Sequence, residues 1–290
     1  MSPYIYLISC VFFLSSASIF GSLYNRKNEG REGTTPFYNF LQICSVFVCW
    51  VIMFAVDGTF SWEVLPYSII FAVGYTLCNI FVIQALKCGS VALTSLIMQL
   101  SLIGATVWGF FFWNDTVTPS VVIGLVLVVC SLALCLYNGK GEKAQKINLK
   151  WIVFVAIMFL GNACGTIAQK TQQMDFVGKY GNFFMVLATG ISTVACLVLY
   201  LKSDKKDSKA ILKGSWYYPV SAGVLNAIHN LFVIILATST ISPSFVYPVL
   251  SVGSLMVTTL FSSLVFKEKM DWWQWLGVAV GSVAIVLLSV

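Results

Sequence analysis

Apolar residues fall into ten long runs separated by short polar stretches, at roughly 4–23, 37–56, 66–86, 90–113, 119–137, 151–169, 181–201, 217–236, 244–266 and 272–289. Each run is close to the ~20 residues that cross a bilayer as a helix. Hydrocarbon offers backbone N–H and C=O groups no partner but each other. Only helices or closed barrels therefore span it, and uninterrupted runs of this length exclude barrel strands. The pattern predicts an all-α integral membrane protein with ten transmembrane helices. Pro3, Pro36, Pro66, Pro119, Pro219 and Pro243 stand at the predicted helix starts, where a missing N–H costs nothing. Pro248 lies inside the ninth run and is expected to kink or locally open that helix. The first run has no positively charged leader, so it is read as a retained span and not as a signal peptide.

The halves repeat one another in order. Phe13-Leu14-Ser15-Ser16-Ala17 matches Phe159-Leu160-Gly161-Asn162-Ala163, and Asn39-Phe40 matches Asn182-Phe183. Asn79-Ile80-Phe81-Val82-Ile83 matches Asn230-Leu231-Phe232-Val233-Ile234, and Leu100-Ser101 matches Leu250-Ser251. Asn114-Asp115 and Gly124 match Lys267-Glu268 and Gly277. Ordered matches at a near-constant offset indicate a duplicated unit. The predicted organisation is a first five-helix repeat over 1–138, a cytoplasmic linker over 139–150 and a second repeat over 151–290.

A unit with an odd number of spans must re-enter the membrane upside down. Charge tests this, because Lys and Arg collect in cytoplasmic loops. Odd-numbered loops carry fifteen basic residues, even-numbered loops carry only Lys170 and Lys179, and the termini carry none. The stretch Asp57–Glu63 has no basic residue, whereas its partner Lys202–Ser215 has five. The fold class is therefore ten transmembrane helices as two inverted five-helix repeats. The odd loops are placed in the cytoplasm and both termini outside it, in the cell membrane.

Composition agrees. The chain is 59% hydrophobic and 10% charged, with mean hydropathy +0.89, far from the quarter charged of a soluble domain. The net charge of +6 resides in the loops, so nucleic acid is not expected as a partner. Nine cysteines without a CxxC pair read as small apolar residues. No disulfide, metal site or cofactor is expected.

The span-and-loop pattern Phe110-Phe111-Phe112-Trp113-Asn114-Asp115-Thr116 with Gly124 recurs as Leu264-Val265-Phe266-Lys267-Glu268-Lys269 with Gly277. It resembles the EamA-like domain of the drug/metabolite transporter superfamily, repeated twice. That family more often has Gly-Glu at this loop, and neither copy here does. The resemblance implies a ten-helix inverted-repeat carrier of small organic metabolites. It also implies cytoplasmic termini, which the charge count here opposes.

Inverted repeats place a substrate site near the midplane, between the units. Polar side chains at that depth are costly and mark the interior. His229 is the lone histidine, beside Asn226 and Asn230. It reads either as a substrate contact or proton-linked switch, or as a hydrogen-bonded interior residue. Asn162, Thr166, Gln169 and Gln173 form one helical stripe. These amides suit neutral polar or zwitterionic ligands, or else hold helices together. Asn79, Gln84 and Gln99 are the counterparts in the first half, and Tyr75, Trp108 and Tyr247 are candidate aromatic walls. Gly104 and Gly253 are expected to allow close helix approach. All eleven carboxylates fall in loops or at span ends, which argues against a cation/proton exchanger with a buried acid.

The function expected from the sequence is secondary transport of a small organic metabolite or drug-like solute by alternating access. The alternatives are a non-transporting accessory or sensor subunit and, less favoured, an intramembrane enzyme, which would need clustered reactive groups. The expected partners are the lipid bilayer, the small-molecule substrate, and a proton or counter-solute for coupling. Monomer and homodimer both fit.

Overall fold

A computed structural model describes residues 2–28, 31, 33–88, 91–113, 115, 117–136, 149–203, 208–265 and 271–288. The helices are α1 (Pro3–Lys27), α2 (Thr34–Asp57), α3 (Leu65–Cys88), α4 (Val91–Phe112), α5 (Pro119–Leu136), α6 (Leu149–Asp175), α7 (Gly181–Lys202), α8 (Ser208–Ser215), α9 (Tyr217–Ala237), α10 (Pro243–Val265) and α11 (Trp272–Leu288). A 3₁₀ turn, Trp62–Val64, leads into α3. There is no strand among the described residues. Pro3, Pro119 and Pro243 open their helices, and Pro36, Pro66 and Pro219 lie in the first turn of theirs.

Eight helices (α1, α2, α3, α4, α6, α7, α9 and α10) are long and apolar enough to cross a membrane. The outer surface is correspondingly greasy: Ile8 is 70%, Phe111 77% and Val194 63% exposed. Patches of this kind on a water-facing surface would drive association. The protein is thus an all-helical chain built for a membrane. α5 and α11 are apolar but shorter, at 18 and 17 residues, which is about 26 Å of helix at 1.5 Å per residue. They pack on each other. A Cβ on Gly277 would lie 2.7 Å from the Cys135 backbone nitrogen, and Ser131 Oγ donates to Gly277 O at 2.7 Å.

The other close pairs are α3 with α6 and with α7, α1 with α9 and with α10, α2 with α7 and with α9, and α4 with α10 and with α6. The first helix is therefore an integral part of the bundle. The α3–α6 crossing is a backbone-to-backbone contact. A Cβ on Gly74 would sit 2.4 Å from Gly161 O, and one on Gly161 2.7 Å from Gly74 O. Gly104 lies against Ala163 of α6, and Gly253 against Val11 of α1, each with room for little more than hydrogen.

The helix ends sort into two groups. At one end Asn182 Nδ2 donates to Asp57 at 3.2 Å, Tyr67 Oη donates to Asp175 at 2.6 Å, and the Ser244 N–H donates to Asp115 at 3.1 Å. At the other end Lys27 Nζ donates to Gly214 O at 2.6 Å, and Ser215 Oγ donates to Asn28 at 3.2 Å. Arg26, Lys27, Lys150, Lys202 and Lys213 gather there. We call these the acidic and the basic end.

Several details differ from the sequence reading. α6 runs to Asp175, six residues past the expected 169, so Lys170 is a buried helical residue (7% exposed) and not part of a loop. Its flanking residues explain this: Ala168, Gln172 and Gln173 continue a buried helical face. The stretch after α7, expected to be a loop, contains α8, whose Ile211 packs against Tyr24 and Phe37. α10 continues through Pro248 without an opened turn. The expected linker 139–150 lies outside the described residues except for 149 and 150, which already belong to α6. The loop anchors Asn114, Lys267, Glu268 and Lys269 also lie outside them. The eight described cysteines are free thiols.

Candidate functional site

A cavity of about 260 Å³ lies in the middle of the bundle, lined by α1, α2, α3, α4, α6, α9 and α10. Periodicity explains the convergence. Asn162, Thr166 and Gln169 are four and three residues apart on α6, and Asn226 and Asn230 four apart on α9, so each set shares a face.

The structure brings ten of the eleven expected site residues to this cavity: Tyr75, Asn79, Gln99, Asn162, Thr166, Gln169, Asn226, His229, Asn230 and Tyr247. Trp108 does not line it. That ring is 38% exposed and stacks on Phe112, one turn along α4, at 4.0 Å. Gln173 points elsewhere, donating to Gln172, and Gln84 lines a separate lateral depression with Pro36 and Cys196. Tyr38 and Gln42 of α2 are lining residues that the sequence reading passed over. Their signal was present: two polar-tipped residues four apart in an apolar run.

Hydrogen bonds hold the polar side chains to one another and to the backbone. Asn230 Nδ2 donates to the Asn226 carbonyl at 2.9 Å and to Asn226 Oδ1 at 3.0 Å. Gln169 Nε2 donates to Asn230 Oδ1 at 3.3 Å, which links α6 to α9. Tyr75 Oη reaches Asn226 Oδ1 at 3.5 Å, and Asn79 Nδ2 donates to Tyr75 O at 2.7 Å. Asn162 Nδ2 donates to Ser101 Oγ at 2.6 Å, joining α6 to α4. His229 Nδ1 lies 3.1 Å from Cys10 O of α1. The two readings of these residues are therefore compatible: Tyr75, Asn162, Gln169, Asn230 and His229 tie helices together and also line the cavity.

Toward the basic end the lining includes exposed Ser18 and half-buried Tyr38 and Gln42. Toward the acidic end it closes on buried Val233, Tyr247 and Leu250. Behind Val233 and Tyr247 lies Lys170, whose Nζ donates to Ala237 O at the end of α9. Asp115 stands nearby in the α4–α5 connection, accepting from the first turn of α10. Burial pushes the Asp115 carboxyl above the usual carboxylate range, although the Ser244 N–H and the Lys170 charge pull the other way. This plug of charged and backbone groups was not foreseen, because Lys170 was assigned to a loop. Among the described residues no cluster of three or more His, Cys, Asp or Glu side chains could hold a metal ion.

Comparison with known proteins adds fold information. No family model matches the chain. It is similar to an uncharacterised protein of Haemophilus influenzae, with 27% identity over 227 residues covering 76% of this chain and 74% of that one. A crystal structure of another protein shares the fold, with a TM-score of 0.76 over 99% of this chain and 96% of that one at 10% identity.

Proposed function

We propose that the protein is a secondary carrier that moves a small organic solute across the membrane by alternating access, with the central cavity as its binding site. The observation that carries this reading is a polar cavity between the two halves, closed at the acidic end and reaching toward the basic end.

The proposed architecture is ten spans in two inverted repeats of the EamA-like type. The packing supports it. When α1–α5 are exchanged with α6, α7, α9, α10 and α11, the pair α3·α6 becomes α9·α1, α2·α9 becomes α7·α3, and α4·α6 becomes α10·α1. The pairs α2·α7, α4·α10 and α5·α11 map onto themselves. Inverted repeats related in this way allow one half to rock against the other around a fixed site. With the basic end in the cytoplasm, the arrangement is the inward-facing state and both termini lie outside.

The test is counterflow in proteoliposomes loaded with a cell metabolite extract. Protein-dependent exchange of at least one labelled solute is expected. His229→Ala should reduce it at least about tenfold, a change on the order of 1.4 kcal/mol, with reconstitution unchanged. Absence of exchange for every solute in the extract would sink the reading.

A further inference from the structure

The cavity's hydrogen-bonding groups have orientations that their partners dictate. A carbonyl oxygen only accepts. The Asn226 carbonyl therefore fixes Asn230 Nδ2 as a donor, so Asn230 Oδ1 must take its hydrogen from Gln169 Nε2, and Gln169 Oε1 is left over. Asn226 Oδ1 already accepts from Asn230 and Tyr75, leaving Asn226 Nδ2. The Tyr75 carbonyl fixes Asn79 in the same way, leaving its Oδ1. Ser101 commits its hydroxyl hydrogen to Met98 O, so Asn162 must donate to Ser101 and its Oδ1 remains. The Cys10 carbonyl holds the hydrogen on His229 Nδ1, and in the uncharged imidazole Nε2 is then an acceptor. These leftover atoms have no protein partner among the described residues. The acceptors are Gln169 Oε1, Asn79 Oδ1, Asn162 Oδ1 and His229 Nε2; donors remain at Asn226 Nδ2, at the second Nδ2 hydrogen of Asn162 and at the Tyr38 and Tyr247 hydroxyls, so the cavity offers both senses. Gln42 and Gln99 also line the cavity, and their side chains make no hydrogen bond among the described residues, so they offer either sense.

Two further features narrow the ligand. Among the described residues, no Asp, Glu, Lys or Arg side chain lines the cavity. The helices that line it run unbroken past it, α10 included, so no half-helix end points inward among the described residues. A buried carboxylate, phosphate or ammonium needs such a partner, and none is offered. The walls also carry the rings of Tyr38, Phe71, Tyr75 and Tyr247, with Phe71 and Tyr75 stacked at 5.6 Å and 19°. At about 260 Å³ the space falls below the roughly 300–1,000 Å³ of sites for drug-sized ligands.

We propose that this cavity selects a small, uncharged ring compound that presents both hydrogen-bond donors and acceptors, a solute of the nucleoside and nucleobase kind, and excludes anions and zwitterions. The inference rests on the carrier reading above. Ring faces stack against the aromatic walls, while amino, imino and hydroxyl groups meet the free acceptors and ring nitrogens and carbonyls meet the free amide and hydroxyl donors.

The experiment uses the purified full chain with tritiated adenosine, guanosine, cytidine and uridine, their 5′-monophosphates, and glutamine as the zwitterion. Binding is measured in detergent and counterflow in proteoliposomes. At least one nucleoside should bind and exchange, with its monophosphate and glutamine at least about 100-fold weaker, as expected for burying an uncompensated charge. Gln169→Met, which keeps the shape and removes the acceptor, should weaken that nucleoside at least about tenfold. Asn226→Leu should do the same, and both variants should elute as the wild type does in size-exclusion chromatography. A monophosphate or glutamine bound as tightly as the nucleoside would overturn the inference, as would binding indifferent to the folded Gln169→Met variant. Exchange of a monophosphate or glutamine with no nucleoside exchanged would overturn it and leave the carrier reading standing. No binding and no exchange across the whole panel would overturn the inference, while the carrier reading stands or falls on counterflow with the metabolite extract.

Discussion

At the scale of single residues, the cavity depends on committed hydrogen bonds. An amide in hydrocarbon that lacked partners would cost several kcal/mol. Here Asn79, Asn162, Gln169 and Asn230 each spend one edge on a neighbour, and the bonds of Asn162, Gln169 and Asn230 also tie helices together. Asp115 is the residue whose charge state matters most outside the spans. Its pKa is raised by burial, so the stability it contributes is full below the ordinary carboxylate value of about 3.9. That contribution is lost as pH rises through the elevated value. Asp115→Asn keeps an acceptor for the Ser244 N–H and removes the titration. In thermal unfolding the variant should gain on the wild type as pH rises from acid to neutral; a gap that is constant with pH would contradict this. Most of the cavity was legible in the sequence, because Asn79, Asn162 and His229 are polar residues in apolar runs and have few places to go but inward. Trp108 was misread because an aromatic ring is equally at home against lipid. Lys170 was misread because a lysine near a run's end looks like a loop residue, and only the packed structure shows α6 carrying it inside.

At the scale of helices, close approach sets the geometry. The mutual contact of Gly74 and Gly161 lets α3 and α6 meet backbone to backbone, which places Tyr75 and Asn79 opposite Asn162 and Thr166. Dispersion, not a hydrophobic drive, holds such crossings in lipid, so small residues are required at them. Gly161→Ala should cost about 1–3 kcal/mol by overpacking and lower the melting temperature in detergent by several degrees. Gly214→Ala in α8 is the control, since a Cβ there meets nothing within 4 Å and the melting temperature should not fall. Helix positions and starts could be read from apolar runs and prolines. Helix ends could not: α1 and α6 extend beyond their apolar runs because Tyr24 and Gln172 are buried by neighbouring elements, and no local pattern reports that. α8 was missed because its eight residues are too few and too polar for a span, and it forms because Ile211 finds a tertiary pocket.

At the scale of the whole molecule, the inverted repeat is a proposal that the pairing of helices supports. The orientation in the membrane was argued from charge alone, and it has a direct check. In a background without native cysteines, a cysteine at position 2 should react with an impermeant maleimide from outside intact cells, and one at position 208 should react only after permeabilisation. The reverse pattern would invert the proposed topology. The cavity's lack of fixed charge has an electrical consequence. Moving one elementary charge through the membrane field is worth roughly 2.3 kcal/mol per 100 mV, so a carrier with a charged midplane site works with or against the membrane potential at every cycle. Among the described residues no Asp, Glu, Lys or Arg side chain lines this cavity, so on the proposed carrier reading the site is uncharged both when empty and when filled with a neutral solute. Its turnover should be silent to voltage, and the solute gradient alone would then set which way the cargo moves.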